Sequence, residues 1–383
     1  MKKSLLVAAL IAGFAGAAQA ETSVTLYGRV DGGIGYQQFK GTNPTTGESF
    51  KGSNTGMANG VMGGNRWGLK GAEDLGEGLQ AVFVLENGFN LSDGTQSDGM
   101  FGRQATLGLK SSSWGQLDFG RQTTVASKYL ASVASPFGPD WGQASVGSAF
   151  SALNSVRYNN MIMYQTPKFS GFQLGLNYSF TGNAGSQGFK TSGGDEPNDK
   201  AWGAAAQYAN GPLAVALSYD EYKTSEVRVD GIGGDRDTAI KSWNLAGSFD
   251  FDVVEVHAAV GQTRNGWFKH VSAIDYRDIG GTEDMTGRQT WGAINDAKVN
   301  SYTLGLSAPV GASGEILASW VMADPKDGFG DDRQDKQHFY SLGYTYKLSK
   351  RTNVYALGSY GTGVHFYDDL KATQFAIGLR HQF

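Results

Sequence analysis

The chain has 383 residues, among them 56 Gly, 21 Phe, 17 Tyr, 8 Trp, 8 Pro and no Cys, with a formal charge of −4. The missing cysteine excludes a disulfide scaffold, a thiolate zinc site and a cysteine nucleophile, and the acidic balance excludes the basic excess used to bind nucleic acid. A 40% hydrophobic fraction with 12% aromatics is too apolar for a disordered chain, and glycine at about twice its usual share points to many strands and tight turns.

Lys2 and Lys3 precede an apolar run from Leu5 to Ala18 that is too short to span a bilayer, and Ala18-Gln19-Ala20 is an A-x-A cleavage site. Residues 1–20 are therefore expected to be a secretory signal peptide, removed to leave residues 21–383 as one domain. Losing Lys2 and Lys3 moves the formal charge from −4 to −6. No later segment approaches the roughly 18 consecutive apolar residues of a membrane-spanning helix. The exported protein is then either soluble or a membrane-embedded barrel.

From Val24 onward the even positions read Val24, Leu26, Gly28, Val30, Gly32, Ile34, Tyr36, whereas the odd ones include Thr25, Arg29 and Asp31. This period of two marks a strand with one apolar and one polar face. It returns at Phe172–Phe180, Trp202–Tyr208, Leu213–Tyr219, Trp243–Phe249, Tyr340–Tyr346 and Phe375–Phe383. Sixteen candidate strands result: 22–37, 64–71, 79–91, 101–110, 115–122, 156–166, 172–180, 200–208, 213–220, 239–249, 253–262, 297–307, 315–323, 336–347, 352–360 and 370–383. Many have the roughly 9–11 residues a tilted strand needs to cross a bilayer, where soluble strands usually run about 5–6. Aromatic residues sit toward the ends of the apolar faces, and short turns alternate with long polar loops at 181–199, 220–238 and 263–296. Together these features predict an all-β fold, a closed antiparallel 16-stranded transmembrane barrel around water, with Gln173, Asn177, Ser218, Asn244, Ser341 and Thr345 hydrated in the lumen.

The connection at about 122–156 contains one cation, Lys128, and one anion, Asp140, while other loops are heavily charged. Such a charge-poor segment is expected to fold into the barrel and narrow it, although an exposed Ser/Ala/Gly-rich loop is the alternative.

VTLYGRVD at 24–31, NRWGLKGAEDLGEGL at 65–79, GRQATLGLK at 102–110, GQLDFGRQ at 115–122, Pro136-Phe137-Gly138 and the terminal GLRHQF at 378–383 resemble the general trimeric porins of Gram-negative bacteria, especially the betaproteobacterial type. The resemblance spans essentially the whole mature chain. It implies a homotrimer in the outer membrane, an inward third extracellular loop, and a basic wall facing acids on that loop. By the same resemblance the wall cations fall on Arg29, Arg66, Arg103 and Arg157; parity opposes Arg103, which shares the phase of Ala105, Leu107 and Leu109. The loop residues are Lys128, Pro136, Phe137, Gly138 and Asp140, and the glutamate that some relatives carry between the Pro and Phe is absent.

Four arginines against the single loop carboxylate predict weak to moderate anion preference, unless the arginines merely pair with Asp31, Glu86 or Asp118 along the wall. Phe383 resembles the C-terminal signal read by the barrel-assembly machinery. The mixed sizes of Leu26, Gly28, Val30 and Gly32 suggest a face another subunit approaches, and Asp331-Asp332 suggests a cation bridge to lipopolysaccharide.

The sequence holds no G-x-S-x-G, phosphate-binding loop or H-E-x-x-H, and its five histidines are scattered, so no enzyme activity, metal or cofactor is expected. The expected function is passive diffusion of small hydrophilic solutes and ions, with anions favoured. A substrate-specific porin, for which Tyr129, Phe137 and Trp141 leave room, and an exported soluble or surface-attached β-sandwich binding protein are the alternatives.

Overall fold

The computed structural model describes residues 23–42, 47–97, 99–180, 200–223, 238–268, 293–329 and 334–383. The expected leader at 1–20, the loop at 181–199 and Asp331-Asp332 lie outside them. The described residues form β1 (Ser23–Thr42), β2 (Ser49–Asn59), β3 (Arg66–Gly76), β4 (Leu79–Phe89), β5 (Gln96–Ser97), β6 (Gln104–Ser111), β7 (Gly115–Thr123), helix α1 (Val125–Ala134), β8 (Arg157–Gln165) and β9 (Phe172–Ser179). They continue with β10 (Lys200–Asn210), β11 (Leu213–Lys223), β12 (Ala239–Asp250), β13 (Glu255–Gly266), β14 (Ala293–Val310), β15 (Gly314–Asp327), β16 (Gln337–Lys347), β17 (Thr352–Thr362) and β18 (Lys371–Gln382).

Each main strand pairs antiparallel with the next, and β18 returns to β1 with Arg29 opposite Gln382. β2 and β3 share one position in the wall, because β2 pairs with Gly32–Thr42 of β1 and β3 with Ser23–Arg29. β5 is a two-residue appendage of β4. The result is a closed barrel of sixteen strands, the one sheet geometry that leaves no unpaired edge in hydrocarbon. The expected second strand, 64–71, captured only β3. β2 (SFKGSNTGMAN) is too rich in Ser, Asn and Gly to show apolar alternation, and its main-chain ladder with β1 makes it a strand.

Side chains divide as the period of two requires. Ile34 is 70% exposed and Ile377 69% on the outer face, where the solvent is lipid. Aromatic pairs flank this band, Trp202 with Tyr219 at one end (5.1 Å) and Phe172 with Tyr208 at the other (4.5 Å).

The inner face departs from expectation in one respect. Asn177, Ser218, Asn244, Ser341 and Thr345 are buried, not hydrated. Asn177 Oδ1 accepts a hydrogen bond from Val125 N at 3.0 Å, Asn244 Nδ2 donates to Ser218 Oγ at 3.2 Å, and the Ser341 and Ser359 hydroxyls bond at 2.9 Å. Partners replace water because α1 and the chain after it cover this wall, and buried polar groups require them. Val125, Leu130, Phe150 and Leu153 pack there against Ala201, Ala205, Ala216 and Ala246, whose short side chains leave space for the segment. Its shortage of charge is what this dry packing demands.

The small residues of β1 are also used differently from expectation. A Cβ on Gly28 would lie 2.4 Å from the Phe383 ring, and one on Gly32 would lie 2.4 Å from Leu91 Cδ2. Those gaps are filled by the chain's own side chains, while Leu26 on the same face stays 58% exposed.

Candidate functional site

Thr124 caps α1, its Oγ1 accepting from Ser127 N at 3.3 Å, and the chain beyond is fastened around the lumen. Ser301 Oγ donates to Ala149 O at 2.7 Å, Gln143 N to Gln374 Oε1 at 2.9 Å, and Trp141 N to Val61 O at 2.7 Å. The segment thus crosses from the β9 side, through β14, to β18 and the gap between β2 and β3.

Pro136, Phe137 and Gly138 form its turn. Wall glycines receive the two rings, since a Cβ on Gly305 would meet Pro136 Cδ at 2.5 Å and one on Gly343 would meet Phe137 Cε1 at 2.8 Å. Gly138 takes φ +56°, and its N–H bonds Ser135 O at 3.0 Å. Phe137, Trp141 and Tyr355 then stack edge-on, with centroids 5.5 and 5.3 Å apart. All three rings are at most 4% exposed, so Phe137 and Trp141, like the buried Tyr129, offer no aromatic track to a passing solute. Trp141→Ala is expected to cost about 3–5 kcal/mol of local packing. Single-channel recordings should show a larger and noisier current, while the barrel keeps its resistance to detergent at room temperature.

Two spaces meet at this turn. One, of about 550 Å³, is lined by Gln37, Asn54 and Gln374; the other, of about 580 Å³, by Arg29, Arg380, Glu255 and Glu315. Pro139, Asp140 and Trp141 border both. Asp140 Oδ2 stands 3.7 Å from Arg29 Nη1 at that division.

The wall cations do not all face Asp140. Glu86 of β4 accepts from Arg103 Nε at 2.7 Å, lies 3.8 Å from Arg66 Nη1, and accepts from Tyr27 OH at 3.0 Å. The picture of four arginines against one loop carboxylate is therefore corrected: Arg66 and Arg103 share a wall acid. Arg103 precedes β6, so strand parity does not bind it, and its side chain reaches the inward Glu86.

Arg157 opens β8, its Nε buried without a hydrogen-bond partner, within electrostatic reach of Arg66, Arg103 and Arg121. Lys128 remains exposed with its Nζ on Gln122 Oε1 (3.1 Å) and Met163 Sδ (3.2 Å), away from the two spaces that meet at Asp140.

Two cations escaped the sequence reading. Arg380 borders the second space beside Arg29 and bonds Asn353 Oδ1 at 3.0 Å. Parity contained the signal, because it lies between the outward Leu379 and His381. Arg121 bonds Asn159 Oδ1 at 2.7 Å, and parity hides it because Gly120, at φ +121°, begins a register shift. Among the described residues no group of three His, Asp or Glu side chains is placed to hold a metal ion.

A closed barrel with an outer apolar band and two polar spaces meeting at a charged narrowing is the architecture of a water-filled membrane channel. The Gram-negative porin family model matches residues 7–363, and the chain belongs to that family. It is 49% identical to an outer membrane porin protein of Bordetella pertussis and 34% identical to outer membrane porin protein 32 of Delftia acidovorans, each over the full length of both chains. Among solved structures it is similar to an anion-selective porin from Comamonas acidovorans, with 27% identity, a TM-score of 0.69, and 95% of this chain and 100% of that one covered. The protein is an outer-membrane porin that conducts by passive diffusion, and the β-sandwich alternative is excluded.

Proposed function

We propose that this porin is weakly to moderately anion-selective, with Asp140, Arg29 and Arg380 at its narrowest level and Arg66, Arg103, Arg121 and Arg157 giving the adjoining wall a positive potential. The observation that carries this reading is the clustering there: six arginines stand on this wall, the carboxylates acting on Arg66, Arg157 and Arg380 are Asp31, Glu86 and Asp140, and Glu255 and Glu315 line the space that Arg29 and Arg380 share. Asp31 is further withdrawn, fully buried and bonded by Tyr355 OH at 2.6 Å. In a wet constriction the interaction of one such charge with a passing ion is about 1–4 kcal/mol, enough to bias flux without trapping. The anion preference named for the Comamonas protein supports the same reading. A zero-current potential measured across a tenfold KCl gradient should have the sign of chloride preference; the opposite sign overturns it.

The same reading makes the chain a non-enzymatic homotrimer, exported through a cleaved leader at 1–20. The trimer form named for a structurally similar Vibrio cholerae protein supports that assembly. Phe383 serves as the assembly signal. Its N–H and C=O both bond Gly28, at 3.1 and 3.0 Å, so the last residue also locks the seam. Deleting it should lower the yield of surface trimers several-fold while leaving the conductance of assembled channels unchanged. A normal trimer yield in the deletion removes the signal role.

A further inference from the structure

The register of β11 to β15 sets Glu221, Lys241, Arg264, Lys298 and Asp327 directly opposite one another, in one row across five strands. The row lies on the outer face. Lys241 has the phase of Trp243 and Leu245, Arg264 that of Val260, and Lys298 that of Leu304, while the neighbouring Ile240, Thr263 and Val299 are buried on the inner side. These strands hold the ninth to thirteenth of the sixteen wall positions, across the cylinder from β1 and β18. An assembly built beside β1 leaves them facing lipid.

Reading up this face, the rows change in order: Leu245, Val260 and Tyr302; then Trp243, Gln262 and Asn300; then the three cations. The cations stand about 7 Å along the strand above Trp243, or roughly 5 Å along the membrane normal for a tilt of about 40°, which is the level of headgroup phosphates just outside the aromatic girdle. Beside Trp243 the wall is hollowed. Ala204 and Ala206 floor a trench of about 480 Å³ between Leu174 and Leu176 on one side and Leu217 on the other, and Trp243 borders it directly below Lys241. The Trp202–Tyr219 pair closes the trench above and the Phe172–Tyr208 pair below. From Trp202 to Tyr208 is about 20 Å of strand, or roughly 15 Å along the normal, the reach of one leaflet's chains in a core of about 30 Å.

Like charges directly opposite across strands repel. Lys241 Nζ lies 4.0 Å from Glu221 Oε2, the outer limit of an ion pair, and Arg264 Nε donates to the neutral Gln262 Oε1 at 2.6 Å. Asp327, opposite Lys298, makes no ion pair with it among the described residues. With strands about 4.8 Å apart, the row presents three cations within about 10 Å, a width suited to a phosphorylated headgroup.

We propose that Lys241, Arg264 and Lys298 bind the phosphate groups of an outer-leaflet lipid, one of whose acyl chains lies in the Ala204–Ala206 trench. The phosphate supplies counter-charge to the centre of the row, which Glu221 and Asp327 flank only at its ends. The trench fixes the ligand as a lipid instead of free phosphate, because it opens on the hydrocarbon layer and offers a chain an apolar seat that a smooth wall lacks.

The test uses the whole purified porin in mixed micelles with bisphosphorylated lipid A, with the same lipid after removal of both phosphates, and with inorganic phosphate as competitor, read by native mass spectrometry and by titration. The triple variant K241Q/R264Q/K298Q should bind the phosphorylated lipid about a hundredfold more weakly, given the contribution of each cation near an anionic surface. Ala204→Leu together with Ala206→Leu fills the trench and should weaken binding several-fold with all three cations in place. A K168Q/K350Q control, altered in the short turns at the opposite end of the barrel, should bind normally. Unchanged binding in the triple or the trench variant overturns the proposal, as does an equal loss in the control or equal binding of the dephosphorylated lipid. Displacement of the lipid by equimolar inorganic phosphate overturns it too, since the row would then be a free-anion site. Heat-modifiable migration and unaltered conductance establish that each variant is folded; if the triple variant is not, K241Q and R264Q singly should each weaken binding several-fold, and no loss in either is equally fatal.

Discussion

Replacing Arg66 and Arg157 together by glutamine lowers the chloride-over-potassium permeability ratio by about tenfold. Each charge some 6 Å from the ion path in water contributes about 0.7 kcal/mol, a factor of roughly three, and the two act on the same passing ion. Arg66 lies 3.8 Å from Glu86, and removing it leaves that acid to Arg103 alone, so the wall loses positive potential on both counts. Glu86→Gln should act in the opposite direction, raising anion preference by unmasking Arg66 and Arg103. Zero-current potentials across a KCl gradient read both changes. An unchanged potential in the double variant would mean that these arginines serve the wall and not the passage. Because the effect is electrostatic and the site is wet, it should shrink as salt rises toward 1 M.

Gly33→Val is expected to abolish assembly. Gly33 faces Gly378 where β1 meets β18, and a Cβ there would lie 2.0 Å from Ile377 O and 2.5 Å from Gly378 Cα. Those are backbone atoms, which cannot turn aside as a side chain would. Separating the two strands to admit the side chain would leave ladder N–H and C=O groups unpaired at membrane depth, where each costs several kcal/mol. The expected readout is loss of the heat-modifiable band. A folded G33V barrel would show that the seam tolerates displacement.

Much of this was legible in the sequence because the physics that writes a barrel is local. Alternation of period two, strand length and the contrast of short turns with long loops are each contained within about fifteen residues, and they marked all sixteen wall positions. The low charge of 122–156 was legible for the same reason: a segment that packs dry cannot carry charge. What escaped depends on partners distant in the chain. β2 is a strand because β1 continues beside it, although its own residues show no apolar face. Glu86 gathers Arg66, Arg103 and Tyr27 from three other stretches of chain. Gly28 and Gly32 invite a neighbour on paper, and only the fold shows Phe383 and Leu91 already there. Arg380 could have been found by extending to β18 the parity argument already applied to β1; Arg121, behind the register shift at Gly120, could not.

The dry packing of α1 and its following turns against β10 to β12 has an electrical consequence. It fills one side of the cylinder, while the spaces of about 550 and 580 Å³ above and below Pro139–Trp141 remain wide. The resistance of the path is therefore concentrated in a sheet a few residues thick, and the protein behaves as a perforated diaphragm more than as a pipe. Applied voltage falls mainly across that sheet, so an ion samples the arginine side of the wall at the level where the field that drives it is steepest.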